Sequence, residues 1–313
     1  MTSPDGAGSM RAEGDSWDIR TGVGSTALMV AAARGLAARR PNPIVVDQFA
    51  EVFCRAAGDE WAALFDADEE QTRDHPLRSP DFGESFQVFQ AARTKYFDAY
   101  FDAAIDAGVR QVVILAAGLD SRAYRLSWRD GTVVYELDRP QVLDFKRRAL
   151  ADHGARPIAE RREVATDLRE DWARALRESG FDPAVPSAWL AEGLLLYLPP
   201  AAQDQLFAAV DTLSTPGSFA GIEQMEMLDT DSYTAMTAPD DGDDHAGAQW
   251  AGLIYNEPRS EATHWFGEHG WYAHRTVLTD YLTVIGADIP TEPGTVGASM
   301  LPSITLVTAS RPT

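Results

Sequence analysis

Gln111-Val112-Val113-Ile114-Leu115-Ala116-Ala117-Gly118-Leu119-Asp120 and Val133-Val134-Tyr135-Glu136-Leu137-Asp138 decide the fold between them. Each is a short apolar run; the first stops at a glycine turn, the second on carboxylates. Strands this uniformly apolar are buried on both faces, as in a parallel sheet covered by helices. A helical pattern over 140–152, opened by Pro140, supplies the crossover that such a sheet needs.

The same rhythm extends in both directions. Helices are expected over 84–107, 168–179 and 201–213, and strands near 158–165, 187–192 and 217–223. Two further apolar strands, near 277–284 and 303–309, close the chain. The expected fold class is α/β: a mostly parallel, Rossmann-like sheet with helices on both faces. Upstream, a helical pattern from Trp17 to Arg40 stops at Pro41-Asn42-Pro43. The chain reads as one domain over 16–313 behind a disordered tail at 1–15. Within it, 16–83 form a helical cover, 84–224 the core, 225–275 an insertion or lid, and 276–313 the last strands. The lid carries the acidic run Asp240-Asp241-Gly242-Asp243-Asp244.

The chain has 313 residues and 45% hydrophobic content, enough for a large core. Its 27 Lys and Arg against 48 Asp and Glu leave a net charge of −21. That balance argues against a nucleic-acid partner, which needs clustered cations to meet phosphates. Most of the charge reads as solvated surface. Cys54, the sole cysteine, excludes an intrachain disulfide and a Cys-based metal cluster, and no metal is expected. The N-terminal segment lacks the basic and apolar regions of a signal peptide. The most apolar run, Ala188 to Leu198, contains Glu192 and stops at Pro199-Pro200. The expectation is a cytoplasmic protein with no membrane partner, monomeric by default.

In open parallel sheets, ligands bind outside the carboxyl ends of the strands. Gly118 lets the backbone approach a ligand there, although a plain tight turn explains one glycine equally well. Asp138 follows twenty residues later, where a mononucleotide-binding half sets an acid against ribose hydroxyls. Glu136 shares its strand face and is expected to point toward the site as well. A dinucleotide wants G-x-G-x-x-G, but those positions hold Ala116, Gly118 and Ser121. Without the glycines the backbone cannot approach a pyrophosphate, which counts against NAD. S-adenosyl-L-methionine (SAM) has no pyrophosphate and tolerates a looser turn.

On helix 84–107, Phe86, Phe89, Tyr96, Phe97, Tyr100 and Ala104 make one apolar face, with Arg93 near its middle. A guanidinium there needs a ligand carboxylate or an internal partner, or else must snorkel. Asp167 with the Leu168 main chain can read an adenine edge, or simply cap a helix. Glu192 interrupts an apolar run, so it is paired or functional rather than solvated.

Taken together, five stretches resemble the SAM-dependent methyltransferases related to leucine carboxyl methyltransferase, especially their actinobacterial branch. They are Ala92-Arg93-Thr94-Lys95-Tyr96-Phe97-Asp98, Val112 to Leu126, Val134 to Lys146, Thr166 to Trp172 and Ala191 to Pro199. The start Thr21-Gly22-Val23-Gly24-Ser25-Thr26-Ala27 fits that branch too. The resemblance implies a seven-stranded methyltransferase sheet with an antiparallel last strand beneath an N-terminal helical cover. It also implies that Arg93 holds the SAM carboxylate and that Gly118 lines the methionine part. Asp138 would take the ribose hydroxyls, Asp167 and Leu168 the adenine, and Glu192 the amino group or sulfonium. The family more often has glycine where this chain has Ala116.

The implied activity is methyl transfer to a small molecule, expected at oxygen. A carboxylate acceptor needs no base, whereas a hydroxyl does. Glu192, His264, His269 and His274 are candidates for that base, and none is assigned. An NAD-dependent oxidoreductase and a SAM-binding protein without turnover are the rival readings.

Overall fold

A computed structural model describes residues 23–80, 82–230, 233–234, 254–287 and 296–313. The expected tail at 1–15 and the acidic run at 240–244 lie outside the described residues. The strands are β1 (Gln111–Leu115), β2 (Val133–Asp138), β3 (Glu160–Ala165), β4 (Ser187–Ala191), β5 (Phe219–Met225), β6 (Tyr272–Val277) and β7 (Ile304–Ser310). They form one sheet in the order β3-β2-β1-β4-β5-β7-β6. The first five pair in parallel, and β7 runs antiparallel to both β5 and β6. The order reverses between β1 and β4, so the switch point lies beside the Gly118 turn.

Both faces of the central strands are buried, as uniformly apolar runs require. Val112, Ile114, Val134 and Leu190 pack toward one face, and Val113, Leu115, Leu137 and Trp189 toward the other. On the first face lie α1 (Val23–Ala38), α2 (Ala50–Ala57), α3 (Asp59–Asp66) and α4 (Gly83–Asp106); the one-turn α5 (Arg122–Arg125) and α6 (Pro140–Asp152) carry Ala123 and Leu150 into the same cluster. On the second face lie α7 (Trp172–Glu178) and α8 (Pro200–Thr212), with Leu176 and Phe207 fully buried. Pro140 and Pro200 open α6 and α8 in the first helical turn, where a missing N–H costs nothing.

From Ser85 to Thr94 every residue of α4 is buried, so the single apolar face expected for this helix describes only its second half. The cause is α1, which covers its outer side. On the inner side, Gly221 lets the helix approach the sheet. A Cβ there would lie 3.1 Å from Tyr100 and 3.2 Å from Phe97. The Tyr100 hydroxyl donates to the Trp189 carbonyl at 2.8 Å.

Two expectations need correction. The apolar run at 277–284 is not a strand but a helix, α10 (Leu278–Val284), while the strand is β6 just before it. Leu278, Tyr281 and Leu282 fall at helical spacing, and both leucines are fully buried. The helix expected at 168–179 begins only at Trp172, because Asp171 caps it by accepting from the Arg174 N–H at 3.1 Å. The sheet also takes part of the stretch expected as a lid. Between Ala262 and Glu268 runs α9, whose Phe266 packs on Phe207, and β6 follows. The last helix, α11 (Val296–Ser303), leads into β7. Among the described residues no helix is long and apolar enough to cross a membrane, and no group of three His, Cys, Asp or Glu can hold a metal.

The cover is fastened to the core by buried polar groups. Arg34 of α1 donates to the Leu119 carbonyl at 2.8 Å and to Asp47 at 3.0 Å. Asp47 also accepts from Ser121 Oγ at 2.8 Å and from the Phe49 N–H at 3.0 Å. Burial pushes the Asp47 carboxyl up, but Arg34, Arg125 and these donors together hold it below its ordinary value. Cys54 is buried in α2, and burial pushes its thiol to about 12, which leaves it inert.

Candidate functional site

The turn after β1 is built from two left-handed residues, Ala116 at φ +49° and Gly118 at φ +46°. A glycine reaches that conformation freely; an alanine does so at a cost. The turn aims the Gly118 N–H at Asp138, whose Oδ2 accepts it at 2.7 Å. Asp138 Oδ1 accepts from the Arg139 N–H at 2.7 Å. Burial pushes the Asp138 carboxyl up, and the two N–H donors partly oppose this. A Cβ added at Gly118 would find only Ala116 O and Ala27 Cβ near it, each 3.8 Å away. The space in front of the turn is therefore open.

That space is a cavity of about 210 Å³ between the strand ends, α1 and α4. Arg93, Gly118, Asp120, Asp138, Glu192 and Glu223 supply its polar wall. Phe86, Phe89, Leu196, Met225 and Ile304 make an apolar wall facing β5 and β7. Concave, mostly apolar sites with a few convergent polar groups are what small ligands fill.

Arg93 is buried and spans two carboxylates. Its Nη1 donates to Glu223 Oε2 at 2.7 Å, its Nε lies 3.0 Å from Glu192 Oε1, and its Nη2 donates to Gln90. The chain of charge continues through Arg122, which pairs with Glu192 and Asp98 at 2.8 Å each and with Asp120. Burial opposes the Arg93 charge, yet Glu223 and Glu192 keep its pKa above the ordinary value. Burial raises Asp120, but Arg122 and Lys146 overcome this and bring it down to about 2. Glu192 Oε2 is buried 2.8 Å from Arg122 Nη1 without an aligned hydrogen bond.

The cavity thus gathers four of the sequence-predicted residues: Arg93, Gly118, Asp138 and Glu192. It does not extend to Asp167 or Leu168. These follow β3, the neighbour of β2, and Asp167 is linked back to the site through Arg139 at 3.2 Å. Asp167 is not a helix cap; it closes a local turn by accepting from the Arg169 N–H at 2.9 Å. Hydrogen bonds from Arg169 hold it at about 2. Glu136 corrects an expectation: it points away from the site into the core. There it is fully buried against Lys146 at 2.8 Å and Arg161 at 2.7 Å. None of His264, His269 and His274 lines the cavity.

Asp120, Arg122 and Glu223 were missed in the sequence. Glu223 carried the same signal as Glu192, an acid inside an apolar strand. Asp120 and Arg122 follow the glycine turn directly, and nothing in the spacing of the turn marks them.

The sequence pattern of the leucine carboxyl methyltransferase family matches residues 27–211. A protein from Mycobacterium sp. (strain KMS), provisionally named an S-adenosyl-L-methionine-dependent methyltransferase, is 57% identical over 302 residues, covering 96% of this chain and all of the relative. A relative with the same name from Mycobacterium tuberculosis (strain ATCC 25177 / H37Ra) is 55% identical over 305 residues, with 96% and 100% covered. Among solved structures, a magnesium protoporphyrin IX methyltransferase from Synechocystis PCC 6803 with bound SAH aligns with a TM-score of 0.45 at 13% identity. That alignment covers 83% of this chain and 93% of the other. By the family match and by near-full-length identity, the chain belongs to the leucine carboxyl methyltransferase family, and is a SAM-dependent methyltransferase.

Proposed function

We propose that the protein methylates an oxygen atom of a small molecule, with SAM held at the ends of β1, β2 and β4. The observation that carries this reading is the Gly118 N–H set on the Asp138 carboxylate inside the cavity that Arg93 and Glu192 share. Asp138 takes the ribose hydroxyls, and Gly118 leaves room for the methionine chain. Two of the five guanidinium N–H groups of Arg93 are spent on Glu223 and Gln90, which leaves others for the carboxylate of the cofactor. Glu192 takes the ammonium or faces the sulfonium. Asp167 and the Leu168 main chain take the adenine, beyond the enclosed part of the cavity.

When bound, SAM supplies a methyl group on positively charged sulfur. The chain's own contribution is to align the acceptor oxygen and exclude water, worth up to about 7–11 kcal/mol. The reading includes a single domain over 16–313 with substrate contacts from the cover and from 225–275. It also includes a cytoplasmic setting, a monomer, and no nucleic-acid or membrane partner, supported by the net charge of −21 and the single cysteine.

Calorimetry with SAM, SAH and NAD side by side tests the site. SAM and SAH should bind and NAD should not. Asp138→Ala should weaken SAH at least about tenfold, the scale of a lost charge-assisted hydrogen bond. Unchanged affinity in that variant would overturn the assignment of the ribose subsite.

A further inference from the structure

Glu223 is unused by that reading. It stands on β5, is 4% exposed, and receives two hydrogen bonds, from Arg93 Nη1 and from the Gly193 N–H, each at 2.7 Å. Both end on Oε2. Among the described residues no donor reaches Oε1. The residue lines the cavity together with the apolar side chains of Phe86, Phe89, Leu196, Met225 and Ile304, and Gln90 and Tyr197 line the same cavity. Oε1 keeps its lone pairs for whatever fills that end of the cavity, and a proton donor is the group that suits it. The sheet order puts this end opposite the β1–β2–β3 half, which carries Gly118, Asp138 and Asp167.

We propose that Glu223 is the general base of the reaction and that the acceptor is a phenolic hydroxyl on an apolar body; the inference rests on the SAM reading of the cavity. A carboxylate acceptor is disfavoured at this end. It would face the Glu223 carboxylate, whose Oε1 has no donor beside it among the described residues, so the two anions would repel. A phenol, with a pKa near 10 as in tyrosine, is far closer to a carboxylate base than an aliphatic alcohol near the ~16 of water. Burial pushes the Glu223 carboxyl up, which narrows the gap, while Arg93 and the Gly193 N–H keep it available as an anion. In the step, Glu223 Oε1 takes the hydroxyl proton as the phenolic oxygen bonds to the methyl carbon. The carbon–sulfur bond breaks with its electron pair left on sulfur. The products are a methyl ether, neutral SAH and a proton that leaves Glu223 for solvent.

The test uses 4-butylphenol and 4-butylbenzoic acid as matched probes with the full-length protein. Calorimetry on the SAH-loaded protein should show the phenol binding more tightly than the acid. E223Q should weaken the phenol roughly five- to tenfold, as a neutral acceptor replaces a charged one, and should weaken SAH by less than it weakens the phenol, the SAH change reporting the lost partner of Arg93. With SAM, the phenol should be methylated in preference to the acid. Turnover should fall at least about 100-fold in E223Q, which should also lose the acid limb of the kcat/KM profile. Preference for the acid, methylation of neither probe while SAM binds, or loss of SAH affinity in E223Q with phenol binding spared would overturn the assignment. Failure of the wild-type protein to bind SAM would overturn the cofactor reading instead. Should E223Q not fold, the order of the two probes on the wild-type protein decides.

Discussion

Ala116 places a side chain where the backbone turns left-handed, at φ +49°. The strain of about 1–2 kcal/mol exceeds the entropy that a glycine would lose on folding. Ala116→Gly should therefore stabilise the protein by roughly 0.5–1 kcal/mol, read as a shift in denaturant midpoint. Asp120 answers to pH. Its carboxyl falls from 3.8 to about 2 on folding, so its stabilisation is complete above pH 4 and is lost as pH falls through 2. That amounts to about 2 kcal/mol. In Asp120→Asn, the fall in melting temperature between about pH 4 and 2 should be shallower than in the parent. Individual residues were legible where chemistry contradicted surroundings. Arg93 and Glu192 stood out as charges in apolar runs, and both line the cavity. Glu136 gave the same signal for a different reason, because its partners Lys146 and Arg161 lie on other elements. One strand's alternation cannot show whether a buried acid meets a ligand or a lysine.

At the level of elements, the parallel strands and their crossovers were readable because burial on both faces leaves uninterrupted apolar runs. The C-terminal part was not. Edge strand β6 is largely exposed and carries His274 and Arg275, so its sequence looks like a loop, while the apolar helix α10 beside it looks like the strand. Helix α4 shows the limit from the other side: its apolar face was found, but its complete burial depends on α1, whose packing no local pattern contains. The contact between α4 and β5 hangs on Gly221. Gly221→Val would set a side chain against Tyr100 and Phe97, which a Cβ alone would meet at 3.1 and 3.2 Å. Overpacking of this kind costs about 1–3 kcal/mol, and the melting temperature should fall by roughly 2–5 °C. An unchanged melting temperature would mean that the helix can back away from the sheet.

Across the whole molecule, the cover and the cofactor turn are one mechanical unit. Asp47 and Arg34 are buried, 3% and 6% exposed, and removing one leaves the other without its partner. Asp47→Ala should cost about 3–5 kcal/mol. Because Ser121 and the Leu119 carbonyl hang on the same pair, SAH affinity should fall with it, measured by calorimetry at a temperature where the variant is still folded. Retained SAH affinity in a destabilised variant would show the two to be independent.

For protein engineering, this fastening sets where the chain can be cut. A version begun at Gly83 would keep Arg93, Gly118, Asp138, Asp167 and Glu192, and would look complete on paper. It would lack the anchor that holds Leu119 and Ser121, so shortening from the amino end trades away geometry before it removes any residue assigned to the cofactor.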